Sequence, residues 1–200
     1  MIFRVVAILF LLVFASFEAK KFISKSKEDL SIENIKKEIE LKSGDIIVKR
    51  ESNEISDFVA TFDSSDYSNI GLIIDTKYGF KVVHIELDEN SDDLQISDFN
   101  DFVNFSTKIA VYRHKDKIDI KKLSDIINDL QKLSTKFDYD FYLSNEKLYS
   151  TELINFIYFK LFDENLYTYL SNFYEKDEIS INSIIKNPKL EKKFEIDFKF

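Results

Sequence analysis

The apolar positions divide the chain into stretches of different period. Residues 5–15 (VVAILFLLVFA) are an unbroken apolar run. Residues 19–41 are polar, with Leu30, Ile35 and Ile39 spaced for one helical face. Lys42, Ser43, Gly44 and Asp45 then read as a turn, and Ile46, Ile47 and Val48 open a buried strand. Residues 51–68 are an acidic, Ser-rich connection with a helical turn around Phe58. Residues 70–75 predict a second strand, 76–79 a hairpin turn, and 80–87 the returning strand, with Val82 and Val83 at its β-branched centre.

Residues 88–98 are acidic and read as exposed, and 108–113 (KIAVYR) as another strand. The period then changes. Leu123, Ile126, Ile127, Leu130 and Leu133 fall on one helical face. Residues 137–147 form an aromatic loop. Residues 150–162 are apolar nearly all round, which predicts a buried helix, and 166–173 read as a further helical stretch. The remaining tail is charged and mostly extended, and no internal repeat is visible. Helix, then strands, then helices predicts an α+β fold with an antiparallel sheet packed against helices.

Composition changes this picture in three ways. The N-terminal apolar run follows a single Arg4 and ends in Val13-Phe14-Ala15, the pattern of a secretory signal peptide with small residues before the cut. It is short for a bilayer span, which needs about 20 residues. An uncleaved anchor or a buried N-terminal helix are the other readings. The expectation is an exported protein, periplasmic or secreted, that meets the membrane only through this segment. The chain has no Cys, so it forms no disulfide and carries no lipid on a cysteine. With 20 Phe and 10 Tyr its stability rests on an ordinary apolar core. The net charge of −8 and the lack of a basic stripe argue against a nucleic-acid partner.

Four segments in order carry a more specific signal: Leu41-Lys42-Ser43-Gly44-Asp45-Ile46-Ile47, Tyr67-Ser68-Asn69-Ile70-Gly71-Leu72-Ile73, Phe137-Asp138-Tyr139-Asp140-Phe141-Tyr142 and Leu148-Tyr149-Ser150-Thr151-Glu152-Leu153. They resemble the strand entry, the histidine strand, the aromatic loop and the nucleophile helix of the permuted papain-like amidases of the YaeF/YiiX type. These are relatives of the NlpC cell-wall cysteine hydrolases. The resemblance runs from about residue 41 to 162. It implies a circularly permuted papain-like fold with a barrel-like antiparallel sheet over residues 41–200, preceded by the signal at 1–15 and a helical segment at 16–40.

In such a family a Cys at a helix N-terminus gains thiolate character from the helix dipole. A strand His takes its proton, and a polar residue on the next strand orients that His. The resemblance places Ser150 at the Cys position, Asn69 at the His position and His84 near the orienting position. It also implies a ligand cleft to which Asp45, Tyr67, Tyr142, Tyr149 and Glu152 belong. Asn cannot accept and return a proton near neutral pH, and a Ser hydroxyl is a weak nucleophile without a base.

The bland alternatives are that Ser150 caps its helix, that Asn69 is a polar strand-entry residue and that His84 is structural. Strand alternation groups Val82, His84 and Glu86 on one face, the candidate cleft face. His114, in a charged strand end, reads as solvated. No cofactor is expected. Two distant His without Cys make no zinc site, and the acidic run at 86–93 lacks the spacing of a calcium loop. Three functional readings stay open. The first is a degenerate amidase-like domain that binds an acyl- or peptide-containing envelope ligand. The second is an active serine amidase or esterase using Ser150 with His84. The third is an envelope protein that uses the fold as a scaffold.

Overall fold

The computed structural model describes residues 40–86, 92–143, 147–173 and 176–198. The chain falls into two units, Met1–Glu40 and Leu41–Phe200, and the second holds all that follows. The expected signal peptide, the expected helix before residue 40 and the acidic residues 87–91 lie outside the described residues.

Six strands form one antiparallel sheet: β1 (Ile46–Glu51), β2 (Asn69–Thr76), β3 (Gly79–His84), β4 (Gln95–Asp98), β5 (Ser106–His114) and β8 (Leu190–Asp197), in the order β4-β3-β2-β1-β5-β8. Helix α1 (Glu54–Phe62) follows β1, α2 (Phe99–Val103) follows β4, and α3 (Ile120–Lys132) and α4 (Ser150–Phe162) follow β5. A small hairpin of β6 (Ser171–Phe173) and β7 (Lys176–Glu178) leads into α5 (Ile181–Ile185) before β8. The architecture is α+β, as the pattern predicts.

The sheet is buried on two sides, and strand alternation assigns the sides. Ile46, Val48, Ile70, Leu72, Val83 and Ile85 join Leu123 and Ile127 of α3 and Leu153, Ile154, Ile157 and Tyr158 of α4 in the main core. Lys49 and His84, on the alternate positions, turn the other way, where the Phe102 ring of α2 meets both. Two glycines serve this packing. Gly44 turns into β1 at φ +90, and its amide donates to Ile73 O at 2.8 Å. At Gly71 a Cβ would stand 2.4 Å from Val82 Cγ1, so only Gly lets β2 and β3 lie this close under Phe102.

Several expectations need correction. The turn around Phe58 is a nine-residue helix, capped by Asn53 Oδ1 accepting from Ser56 N. The acidic stretch before residue 98 contains β4, held because Ile96 pairs with Val83. Residues 166–173 are not helical: β6 takes the end of that stretch, and the Asn155 carboxamide accepts from Leu166 N where a helix would have used its own backbone. The tail is interrupted by α5, started by a Ser180 cap. His114 is buried, stacked on Phe162 at 4.3 Å, with burial lowering its pKa.

Candidate functional site

The α4 helix begins one residue earlier than a Ser150 cap would require. Tyr149 is the N-cap, without a side-chain cap bond, and Ser150 is the first helical residue. The Tyr149 hydroxyl accepts from Ile179 N at 2.8 Å, which ties the start of α4 to the strand β7 end. Thr151 Oγ1 donates to Ile179 O at 2.5 Å and completes the tie. A cleft of about 140 Å³ opens here, lined by Ser68, Tyr149, Ser150 and Thr151 on one side and by Glu178 through Ile181 on another. Phe58, Val59, Asp63 and Phe141 close it. Ser150 Oγ has no hydrogen-bond partner among the described residues. The lining is chiefly apolar and aromatic, with a few hydroxyls and two carboxyls, the usual make-up of a small-ligand site.

A second, larger groove of about 950 Å³ runs along the other flank of α4, past Leu130, Leu148, Glu152, Phe156 and Phe159. Ile179 borders both cavities.

The other residues that the sequence singled out divide. Tyr149 and Ser150 line the cleft, and Glu152 lines the groove. Asp45, Tyr67 and Tyr142 line neither. Asp45 is a buried structural acid, bonded to Arg113 Nε at 2.6 Å and Nη2 at 2.7 Å and to Lys42 N. The Tyr67 hydroxyl donates to Glu195 at 2.8 Å, and burial with this bond raises its pKa. Tyr142 is exposed, with Lys176 Nζ 4.0 Å above its ring.

Asn69 and His84 belong to a polar cluster on the α2 side of the sheet. The Asn69 amide donates to Glu86, whose carboxylate also lies 3.5 Å from His84 Nδ1 and 3.9 Å from Lys49 Nζ. The side chain that meets Asn69 is therefore Glu86, two residues beyond His84, which sequence reasoning did not single out as a site residue. Its signal was the strand alternation that put both on one face. His84 is 2% exposed, with Nε2 2.8 Å from Ser97 Oγ and its ring edge-on to Phe102. Burial and the Lys49 charge lower its pKa to about 4, so it is neutral at physiological pH. Its chain neighbours Val83 and Ile85 pack in the α4 core, so His84 itself points away from that helix.

Two acids in the cleft were not foreseen. Asp63 ends α1, and its Oδ2 accepts from Ile181 N at 2.7 Å. Burial pushes it up to about 6, against these hydrogen bonds. Glu178 is 6% exposed, and burial together with Asp63 pushes it up to about 7. Nothing in the sequence marks either one, because they stand far apart and meet only when the β6-β7 hairpin returns to α1.

No family model matches this sequence, and no curated protein matches it. Among solved structures the fold matches the metalloprotein yiiX from Escherichia coli O157:H7, DUF1105, at a TM-score of 0.64 and 14% identity. The match covers 76% of this chain and 95% of that one. The chain thus has a yiiX-like fold. A metal ion needs several converging donors. Among the described residues no group of three His, Cys, Asp or Glu could hold one.

Proposed function

We propose that this is an exported, permuted papain-like amidase domain that has lost its catalysis and uses the cleft at the start of α4 to hold an acyl- or peptide-containing envelope ligand. The observation that carries this reading is the separation of Ser150 from any imidazole. Ser150 opens into the cleft, while His84 lies on the opposite side of the sheet, spent on Ser97. Asn69, at the position of the family's base, is bonded to Glu86 and has no titratable nitrogen. General-base assistance is typically worth about 10²–10⁴-fold, and neither residue supplies it to Ser150. The apolar lining of the cleft and the adjacent groove suit the body of an acyl or peptidyl ligand.

The test pairs labelling with binding. A fluorophosphonate probe should leave Ser150 unmodified, and fatty-acyl amides should be bound without turnover. Label on Ser150 that is lost in His84→Ala would establish the active-hydrolase alternative instead. Export is tested separately by cell fractionation, where a full-length cytoplasmic protein contradicts it.

A further inference from the structure

The Asp63–Glu178 pair has no part in the chemistry of the fold's nucleophile and base positions, and it is costly. A buried carboxylate is tolerated when a cation or hydrogen-bond donors compensate it. Asp63 has partial compensation from Ile181 N, from Ser180 and Asn182, and from the charge of Lys186. Its other oxygen, Oδ1, is buried without a hydrogen-bond partner among the described residues. The Glu178 side chain, more than nine-tenths buried and lining the cleft, makes neither a hydrogen bond nor an ion pair among the described residues, while its backbone pairs with Ser171. The charge that acts on Glu178 is that of Asp63, another acid, and the Tyr149 phenol that lines the same cleft meets Glu152 and Asp138 besides Glu178; the cation of the site, Lys186, acts on Asp63. Around the acids stand the rings of Phe58, Phe141 and Tyr149. A cleft with two undercompensated carboxyls among aromatic rings is matched by one ligand chemistry, a cation on an apolar body.

We propose that the cleft receives a protonated amine carried on an apolar chain, with Glu178 and Asp63 as its counter-ions. This rests on the reading of the cleft as a ligand site, and it names the polar end of that ligand. The ammonium replaces the missing donors, and the chain follows the apolar lining. Because the amine stays charged through neutral pH while the pair gives up its protons, binding strengthens as pH rises from 5 to 8.

Calorimetric titration of the full chain with octylammonium, 1-octanol and octanoate tests this at pH 5 and pH 8. At pH 8 octylammonium should bind on the order of 10–100-fold more tightly than octanol, the value of one or two charge-assisted contacts. Octanoate should bind worst, and the octylammonium advantage should shrink at pH 5. Glu178→Gln, which keeps volume and removes charge, should abolish the advantage and leave octanol binding in place. Asp63→Asn should reduce it and serves as the second variant if the first fails to fold. Equal binding of octylammonium and octanol overturns the amine assignment and leaves the apolar-ligand reading standing. If no octyl compound binds, both fall.

Discussion

Gly71 shows how one residue sets the spacing of two strands. A methyl group there would press on Val82 Cγ1 at 2.4 Å and on Phe102 Cζ and Val83 O at 3.3 Å. Gly71→Ala should therefore cost about 1–3 kcal/mol, the usual range for overpacking, read as a lower urea midpoint at unchanged slope. Asp45 makes a second case. Breaking a buried pair leaves a charge uncompensated, so Asp45→Ala should destabilise by about 3–5 kcal/mol. Both residues sit in segments that the sequence singled out. The Gly44-Asp45 pair was legible as a turn into a strand. Its partner Arg113 was not, because nothing local to either residue signals a bond made across the sheet between β1 and β5.

At the scale of elements, what was legible followed from periodicity. The strands β1, β2, β3 and β5 and the helices α3 and α4 have long, regular apolar patterns, and each lies where the pattern predicts. The β6-β7 hairpin and α5 are too short to carry a period, and the aromatic residues before them mimic a helical stripe. That failure mattered for the site, since one wall of the cleft comes from these pieces. The wall is pinned to α4 by the Tyr149 hydroxyl. Tyr149→Phe leaves the buried Ile179 amide unpaired and should cost about 1–3 kcal/mol in denaturant unfolding. It should also weaken ligand binding by loosening the wall, whereas Tyr142→Phe, on the exposed aromatic loop, should change neither.

At the scale of the molecule, buried titratable groups give stability a pH dependence whose sign can be worked out. Asp63 and Glu178 are raised from 3.8 to about 6 and from 4.5 to about 7. Their protonated forms favour the fold below the unfolded values, and that contribution is lost as pH rises through about 6 and 7. His84 is lowered from 6.5 to about 4, so its contribution is present above 6.5 and lost as pH falls through about 4. The groups oppose one another in mild acid. Above pH 6.5 the decline due to the acid pair continues to about pH 8, opposed in part by His84 and His114, whose unfolded forms still shed protons there. Glu178→Gln should flatten that decline and raise the unfolding midpoint at pH 8 by about 2–8 °C, as a gain of ~1–2 kcal/mol does in a chain of this size. An unchanged slope in the variant would show that Glu178 is not the titrating group.

The strand order also fixes a sequence of events. Strand β5 lies between β1 and β8, and β8 is the latest of the sheet strands along the chain. During vectorial synthesis β5 emerges and finds β1, but its other ladder stays open until everything through β8 has left the ribosome. Until then a strand bearing Ile109, Val111 and Tyr112 is an unprotected edge. A nascent chain halted before β8 should recruit holdase chaperones, and it should be released once the β8 residues are made. Pulse proteolysis of stalled chains of increasing length would show protection arriving in one late step and not strand by strand.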